Sequence, residues 1–417
     1  MQSRAGASPA CYIGPRAHSR NPTFITSPRR TERRASRGTE RPRAVALIFL
    51  RLGAIAFGGP AAHVALMRHE FVERRRWLSE QRFLDLLGVT NLIPGPNSTE
   101  MAIHLGFERA GRLGLLLAGA GFIVPAVAIV VTLAWAYVEF SAVPAVGWLL
   151  YGVKPVVIAV VLHAMWGLGR RAMRTWRAAL IGAAIFGLSL LGVSELALLA
   201  GGVLAGGLLL RPSLITGWRR AGLLIPFLPV GLPGVAAATT TTFGLGVMFL
   251  QFLKIGAVLY GSGYVLIAFM RGDFVERFGW LTDQQLLDAI AIGQVTPGPV
   301  FTTATFVGYL LGGFAGAAVA TLAIFLPSFG FVAVTHPWVS RLRDSRRLSP
   351  LLDAVNATAV GLMGSVTLQL GRTALIDPLT AIVGGVALVT LVATKLNAVW
   401  LIAGGAVIGL VAKSLVG

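Results

Sequence analysis

One stretch of this chain is written twice, and no other feature constrains the fold as strongly. The first copy reads Phe49-Leu50-Arg51-Leu52-Gly53-Ala54, runs to Phe57-Gly58-Gly59, then Met67-Arg68, Phe71-Val72-Glu73-Arg74 and Trp77-Leu78, and ends in Pro94-Gly95-Pro96. The second reads Phe252-Leu253-Lys254-Ile255-Gly256-Ala257, runs to Tyr260-Gly261-Ser262, then Met270-Arg271, Phe274-Val275-Glu276-Arg277 and Trp280-Leu281, and ends in Pro297-Gly298-Pro299. Both keep one offset with roughly 40% identity over about fifty positions, the signature of an internal duplication. After a one-residue slip the match resumes, Gly106, Gly111, Gly114 and Pro125 against Gly308, Gly313, Gly316 and Pro327, and Gly201-Gly202 echoes Gly404-Gly405. The chain therefore divides into a basic tail at 1–43, a first repeat at 44–210, a linker and connecting helix at 211–245, and a second repeat at 246–417.

The duplicated unit is apolar. The chain is 55% hydrophobic and 13% charged, with 51 glycines and a mean hydropathy of +0.75, which a soluble domain with a polar surface does not reach. Apolar stretches recur at 113–139, 142–168, 178–192, 194–210, 306–333, 351–370, 378–393 and 397–413. Most approach the roughly 20 residues a helix needs to cross about 30 Å of hydrocarbon, 178–192 and 378–393 being a little short. The alternating pattern of a barrel is missing, so the expected class is an all-α, multi-pass membrane protein. The lone Cys11 excludes an intrachain disulfide, a CxxC pair and a thiolate cluster. The net charge of +19 sits in loops beside apolar spans, where the positive-inside bias explains it, and nucleic acid is not an expected partner.

Residues 1–43 hold ten arginines and two glutamates with no apolar periodicity and are expected to be disordered. They read as a basic cytoplasmic tail or a start codon set too far upstream, in preference to an organelle transit peptide. The next apolar stretch, 44–67, is interrupted by Gly58-Gly59-Pro60, and its twin, 246–270, by Gly261-Ser262-Gly263. Stretches 84–105 and 287–305 are interrupted by the two Pro-Gly-Pro triplets. Broken helices at membrane depth are tolerated where the freed backbone lines a cavity; ordinary kinked helices are the alternative. Arginines crowd 68–82 and 170–177, while 139–147 has no cation; in the second half the bias reverses, with arginines crowding 335–350 and only Arg372 in the following loop. The two repeats are thus expected to face opposite ways, the build of many secondary transporters. Taking both broken segments of each half as re-entrant, and 222–245 as a crossing, predicts nine full crossings.

Arg51 and Lys254 occupy equivalent positions inside apolar sequence, where a cation is kept mainly for a cavity, a partner or a ligand, or else snorkels to the interface. Related by pseudosymmetry, they suit a dianion. The breaks themselves, Gly58 and Gly59, Gly261, Pro94-Gly95-Pro96 and Pro297-Gly298-Pro299, are followed by Asn97, Ser98 and Thr99 in one copy and Thr302 and Thr303 in the other. A half-helix starting there aims free N–H groups and its positive dipole end at the break, a ready anion site; proline at a first turn with hydroxyl caps is the plain alternative. Glu100 and His104, one turn apart on one face, suit a proton relay, and Lys154 is a lone intramembrane cation. No Walker A sequence, HExxH, nucleophile elbow or clustered metal ligands occur, so no catalytic residue, metal or cofactor is expected and the chain is not read as an enzyme.

The Phe-x-Arg/Lys-Leu/Ile-Gly start, the Phe-Gly-Gly, the Phe-Val-Glu-Arg…Trp-Leu loop and the Pro-Gly-Pro, duplicated over roughly 44–413, resemble the long-chain chromate ion transporter (CHR) family. The second copy departs at Tyr260-Gly261-Ser262 and Val300-Phe301. The resemblance implies export of chromate across the plasma (inner) membrane and chromate resistance, with sulfate as a similar competitor. The expected protein is a secondary transporter of a tetrahedral oxyanion, its partners the lipid bilayer and chromate or a sulfate-like anion. A homodimer is compatible with this reading. Alternating access would rock the halves about both Pro-Gly-Pro breaks. The alternatives are another oxyanion, sulfate foremost, and a membrane-embedded chromate reductase, which the cysteine count disfavours.

Overall fold

The computed structural model describes residues 41–210, 243–260, 263–339, 349–394 and 396–416, all helix, turn or loop without a strand. All of the expected tail but 41–43, nearly all of the 222–245 crossing, and Gly261 fall outside the described residues, and Pro42 and Arg43 belong to the first helix rather than to the tail. The first repeat runs α1 (Pro42–Ile55), α2 (Gly59–Arg68), a π-helical turn His69–Arg74, α3 (Glu80–Thr90), α4 (Asn97–Glu139), α5 (Pro144–Ala172), α6 (Trp176–Leu190) and α7 (Glu195–Leu210). The second runs α8 (Leu245–Val258), α9 (Val265–Met270), a π-helical turn Arg271–Arg277, α10 (Asp283–Val295), α11 (Thr303–Thr335), α12 (Ser349–Ala374), α13 (Pro378–Ala393) and α14 (Ala398–Val416). Among the described residues four stretches are long and apolar enough to cross a bilayer, Asn97–Glu139, Pro144–Arg170, Val300–Trp338 and Ala398–Leu415.

The duplicated motif turns out to be a clamp. Phe49 stacks on Phe71 at 5.0 Å and Phe71 lies 4.6 Å from Trp77; in the second copy Phe252 stacks on Phe274 at 4.7 Å, with Trp280 at 5.8 Å. These rings bury the loop after α2 and α9 against α1 and α8. Arg68 then bonds Glu73 at 2.5 Å and Glu80 at 2.7 Å, and Arg271 bonds Glu276 and, at 2.8 Å, Asp283, tying each π-helical turn to the helix that follows. That helix starts at a cap in both copies: Ser79 accepts from Arg82 N–H, and Thr282 forms a capping box with Gln285, each cap worth about 1 kcal/mol.

The long helices α4 and α11 each reverse direction near their start. Ala110 and Gly111 are non-helical, Gly111 at φ +60°, and Gly312 and Gly313 repeat this with Gly313 at φ +59°, a left-handed conformation that glycine adopts without a Cβ penalty. Past the reversal the two limbs lie against each other. A Cβ on Gly106 would overlap the Gly114 carbonyl, and one on Gly308 the Gly316 carbonyl, so the glycines matched between the repeats set the closest approach of each hairpin. Residues 97–109 form a half-length limb, and 112–139 the spanning one. α1, with 14 residues, is about 21 Å long and too short to cross about 30 Å of hydrocarbon.

The halves exchange helices. α5 of the first repeat packs on α13 and α14 of the second, and α12 of the second packs on α6 and α7 of the first. The approach is close at small residues: a Cβ on Gly152 would overlap the Gly405 carbonyl, and one on Gly361 would lie 2.5 Å from the Gly182 carbonyl. α5–α7 and α12–α14 therefore make one interlaced scaffold, while α1 and α8 pack on α4 and α11, which pack on each other. The sequence halves are not two separate bodies, as the duplication alone suggests, because each half is threaded into the other. Large side chains such as Leu116, Leu180, Ile382, Val386, Val389 and Trp400 are exposed on the outer helix faces, as a bilayer-facing surface requires.

Candidate functional site

The two Pro-Gly-Pro breaks meet the ends of α1 and α8, crosswise between repeats. Gly95 N–H donates to the Leu259 carbonyl at 2.8 Å, and Gly298 N–H donates to the Ala56 carbonyl at 2.8 Å. Ala56 and Leu259 are matched residues of the duplication, so the pair of bonds obeys the internal pseudosymmetry. Pro94, Gly95, Pro96, Pro297, Gly298 and Pro299 are all buried. Both glycines need a left-handed backbone, φ +135° at Gly95 and +92° at Gly298, which is what only glycine does without strain. Gly58 at φ +99° and Gly59 at φ +80° turn the chain from α1 into α2 and stay partly open to solvent.

Each break opens a helix. Thr99 and Glu100 N–H bond the Pro96 carbonyl, which leaves the N–H groups of Asn97 and Ser98 ahead of the helical ladder, facing the break. Asn97 donates to Asn91 at 2.7 Å, and the hydroxyls of Thr302 and Thr303 are spent on the Pro299 and Val300 carbonyls. Ser98 and Thr99 are buried, and the Thr99 hydroxyl has no protein partner.

The two matched cations are not in equivalent surroundings. Lys254 holds both oxygens of Asp273, at 2.6 and 2.7 Å. Arg51 is exposed, and Glu70, which matches Asp273, is instead held by Arg75 at 2.5 Å and Arg74 at 3.0 Å. Burial raises the Glu70 carboxyl, but the hydrogen bonds from Arg75 and Arg74 outweigh it and keep it below the usual carboxylate range. Lys154 is likewise engaged. It lies 3.0 Å from Asp288, side chains 7% and 2% exposed, and the Tyr137 hydroxyl donates to the other Asp288 oxygen at 2.9 Å.

These contacts belong to a wider inequality between the repeats. α10 packs on α5, α12 and α14, and α9 on α12, whereas α3 finds its main packing on α4 among the described residues. Leu287 on α10 is fully buried while its match Leu84 on α3 is 47% exposed. One repeat's broken segments are shut against the scaffold and the other's stand away from it. A cavity of about 420 Å³ lies beside Lys154 and Asp288, lined also by Tyr137, Tyr151 and Lys413.

Glu100 and His104 lie fully buried in the half-length limb of α4. His104 Nδ1 meets His336 Nδ1 at 2.9 Å, a residue the sequence did not single out. Asp273, Asp288 and His336 are the site residues that sequence reasoning missed. The two acids had a signal, since they match Glu70 and Asp85 in the duplication just as Lys254 matches Arg51. The match of Leu168-Gly169-Arg170 with Leu370-Gly371-Arg372 also pairs Lys154 with Asn356, an equivalence the apolar sequence between them hides. Among the described residues no cluster of three or more metal-ligating side chains occurs.

A family model described as "Chromate transporter" matches the chain twice, at 43–207 and 246–410. A protein of Synechococcus elongatus named a probable chromate transport protein is 34% identical over 362 residues, 82% of this chain and 88% of that one. A chromate transport protein of Pseudomonas aeruginosa is 33% identical over 78% of this chain and 80% of its own length. One of Cupriavidus metallidurans is 32% identical over 89% and 94%. No solved structure matches the chain.

Proposed function

The chain belongs to the chromate transporter family, and from that premise we propose that it carries chromate outward across the inner membrane as a secondary transporter. The observation that supports this reading best is the crosswise pair of hydrogen bonds at the two Pro-Gly-Pro breaks. It gathers two helix starts, with their free N–H groups and positive dipole ends, at the pseudosymmetry axis, where a tetrahedral dianion can be held from both repeats. In this reading Gly58, Gly59, Gly95, Gly298 and the prolines shape the site, Asn97, Ser98, Thr99, Thr302 and Thr303 line it, and the segments α1–α2, α3 with the 97–109 limb, and their second-repeat partners enter and leave the membrane on one face.

The unequal repeats are one state of the cycle. With Lys254 locked on Asp273 and Lys154 on Asp288, the second repeat closes its side; the first repeat, with Arg51 exposed, leaves the opposite side open. Exchanging the two arrangements would present the site to the other face, with the interlaced α5–α7 and α12–α14 as the fixed frame. Each matched cation then alternates between an acidic partner and the incoming anion.

Uptake of radiolabelled chromate into everted vesicles tests this. Saturable accumulation that unlabelled sulfate suppresses only weakly is expected; stronger suppression by sulfate than by chromate would move the substrate to sulfate. Donor-dependent formation of Cr(III) without accumulation would replace transport by reduction.

A further inference from the structure

Glu100 is a buried carboxyl that the anion reading does not use. It is fully buried, and neither of its oxygens has a hydrogen-bond partner. Gly95, in the break itself, faces it: a Cβ there would overlap Glu100 Oε1 and come within 2.6 Å of Ser328 Oγ, which is also buried and unpartnered. The carboxyl thus sits on the wall of the break where the dianion is placed. An ionised carboxylate so desolvated, with no cation on it, is unstable, and a dianion beside it makes matters worse, since Coulomb repulsion at low dielectric is many times its value in water.

A path leads away from it. One turn along the same helix face, His104 Nε2 is buried without a partner, while its Nδ1 meets His336 Nδ1 at 2.9 Å. His336 Nε2 in turn lies 3.6 Å from Glu108 Oε1, which accepts from Arg82 at 2.5 and 2.8 Å. The Glu108 carboxylate favours a proton on His336 Nε2. A neutral His336 then has a bare Nδ1, so His104 supplies the Nδ1 proton of the shared bond and keeps a bare Nε2, one helical turn from Glu100. His104, His336 and Glu108 are thereby oriented to pass a proton taken up at His104 Nε2 outward. The reverse orientation would set two lone pairs, of His336 and Glu108, against each other.

The Glu100–His104 pair has no counterpart at the matching positions of the second repeat. The residue matching His104 is Phe306, whose ring packs on Tyr137 at 5.3 Å, and Glu100 falls at the one-residue slip against Thr302 and Thr303. Among the other charged or titratable groups on α4 and the elements packed around the path are Arg109 of α4, over the Trp77 ring, His63 of α2, edge-on to Phe122, Asp85 on α3, bonded by Gln81, Tyr260 after α8, within electrostatic reach of Glu100, exposed Arg51 on α1, Tyr309 on α11, edge-on to Phe314, and Asp288 on α10, already committed to Lys154.

We propose that Glu100 is the binding site for one co-transported proton, occupied whenever the dianion fills the Pro-Gly-Pro breaks, and that His104, His336 and Glu108 conduct that proton to the protein edge beside Arg82. The proposal rests on the anion reading above. One proton enters at Glu108 and one appears on Glu100; the two imidazoles exchange tautomers in passing it and return when it leaves. Because a carboxyl stands at the first break alone, its counterpart being Thr302 and Thr303, the stoichiometry is one proton per dianion.

The test is chromate affinity of the purified full-length protein over an alkaline pH series, where chromate itself stays dianionic. Affinity should fall about tenfold per pH unit once Glu100 ionises, and binding there should take up about one proton. Glu100→Gln should bind chromate with no pH dependence and no uptake. Should that variant not fold, Glu100→Asp should shift the midpoint of the same profile, and an unshifted midpoint overturns the proposal. So does a profile that is flat in the wild type, or one driven by sodium ion concentration instead of pH. His336→Phe should leave the equilibrium profile in place and slow proton movement coupled to chromate transport in proteoliposomes about tenfold or more; unchanged coupled flux removes the path. If folded wild-type protein binds no chromate at any pH, the transport reading fails first and this one with it, whereas binding with a flat profile defeats this one alone.

Discussion

Asp288→Asn should open the side of the protein that the second repeat keeps closed. Lys154 and Asp288 are 3.0 Å apart with side chains 7% and 2% exposed, so removing the carboxylate charge strands an ammonium in the protein interior. Breaking a buried pair on one side costs about 3–5 kcal/mol, because the remaining charge keeps its desolvation penalty. Only the closed arrangement bears that cost, since swinging α10 away from α5 returns Lys154 to water. At about 1.4 kcal/mol per factor of ten, the balance moves toward the open arrangement by at least about a hundredfold. The Tyr137 hydroxyl, 2.9 Å from the same carboxylate, keeps an acceptor on asparagine and offsets little of this.

Ala291 on α10 is a suitable reporter, being 2% exposed in the closed arrangement. With Cys11→Ser as background, Ala291→Cys should react slowly with a membrane-impermeant maleimide, and adding Asp288→Asn should raise the rate by about a hundredfold. Replacing both partners by apolar residues, Lys154→Met with Asp288→Leu, removes the stranded charge and should bring the rate back to within about tenfold of the start, since apolar replacement of a buried pair is often neutral or stabilising. An unchanged rate in Asp288→Asn, or a double variant as reactive as the single, refutes the latch.

Four further outcomes follow from the same geometry. Gly95→Ala must fit a Cβ against Glu100 and Ser328 at φ +135° and should lose most chromate transport, while Gly111→Ala, at φ +60° with open space around it, should cost only about 1–3 kcal/mol of stability and keep transport; equal losses would count against the break as the site. Arg51→Gln should weaken chromate affinity about ten- to a hundredfold at matched membrane abundance, and near-normal affinity would return Arg51 to the lipid interface. Lys254→Gln releases Asp273 and should raise the Ala291→Cys labelling rate as well as weaken affinity; no change in either measurement dismisses the lock. Ser141→Cys and Ile376→Cys should label from outside the cell and Arg174→Cys only after permeabilisation, and a common face for all three would defeat the opposed repeats.

The helical class and the two repeats were open to reading because composition and a constant offset carry them. The four interruptions were legible for the same reason that they matter: glycine and proline are the residues that break a helix, and they recur at matched positions. What those glycines do was less plain. Gly111 and Gly313 were legible only as matched positions of the duplication, yet their left-handed backbone folds each long helix back on itself. The pairing of the buried charges was harder to read, although the duplication marks Asp273 and Asp288 as matched acids. Tyr137 and Asp288 are 151 residues apart, and His104 and His336 are 232 apart, so no local spacing announces them. Nor does periodicity report that α5 and α12 are traded between repeats, since a helix hydrophobic on most faces fits either neighbour.

The duplication also says why the closed side is the one seen. In the proposed exchange the two repeats compete for the same scaffold, and the one with the better contact there prevails. In the second repeat Asp288 meets Lys154; in the first, the matching acid is Asp85, which accepts from Gln81 within its own helix, and the residue matching Lys154 is Asn356. An exchange of arrangements would bring Asp85 toward an amide instead of an ammonium. Charge-assisted hydrogen bonds are roughly twice as strong as neutral ones, so in the proposed exchange the opposite state would be held less firmly than the present one. Asn356→Lys should even the contest by giving Asp85 a cation. With Ala291→Cys as reporter the labelling rate should rise, because population moves out of the closed arrangement, and in the same variant Leu84→Cys on α3, now 47% exposed, should become slower to label. Combining Asn356→Lys with Asp85→Asn should abolish both changes. If the two reporters moved together, or the double variant behaved like the single, the repeats would not be exchanging one arrangement for the other, and the unequal packing would be a fixed property of the fold.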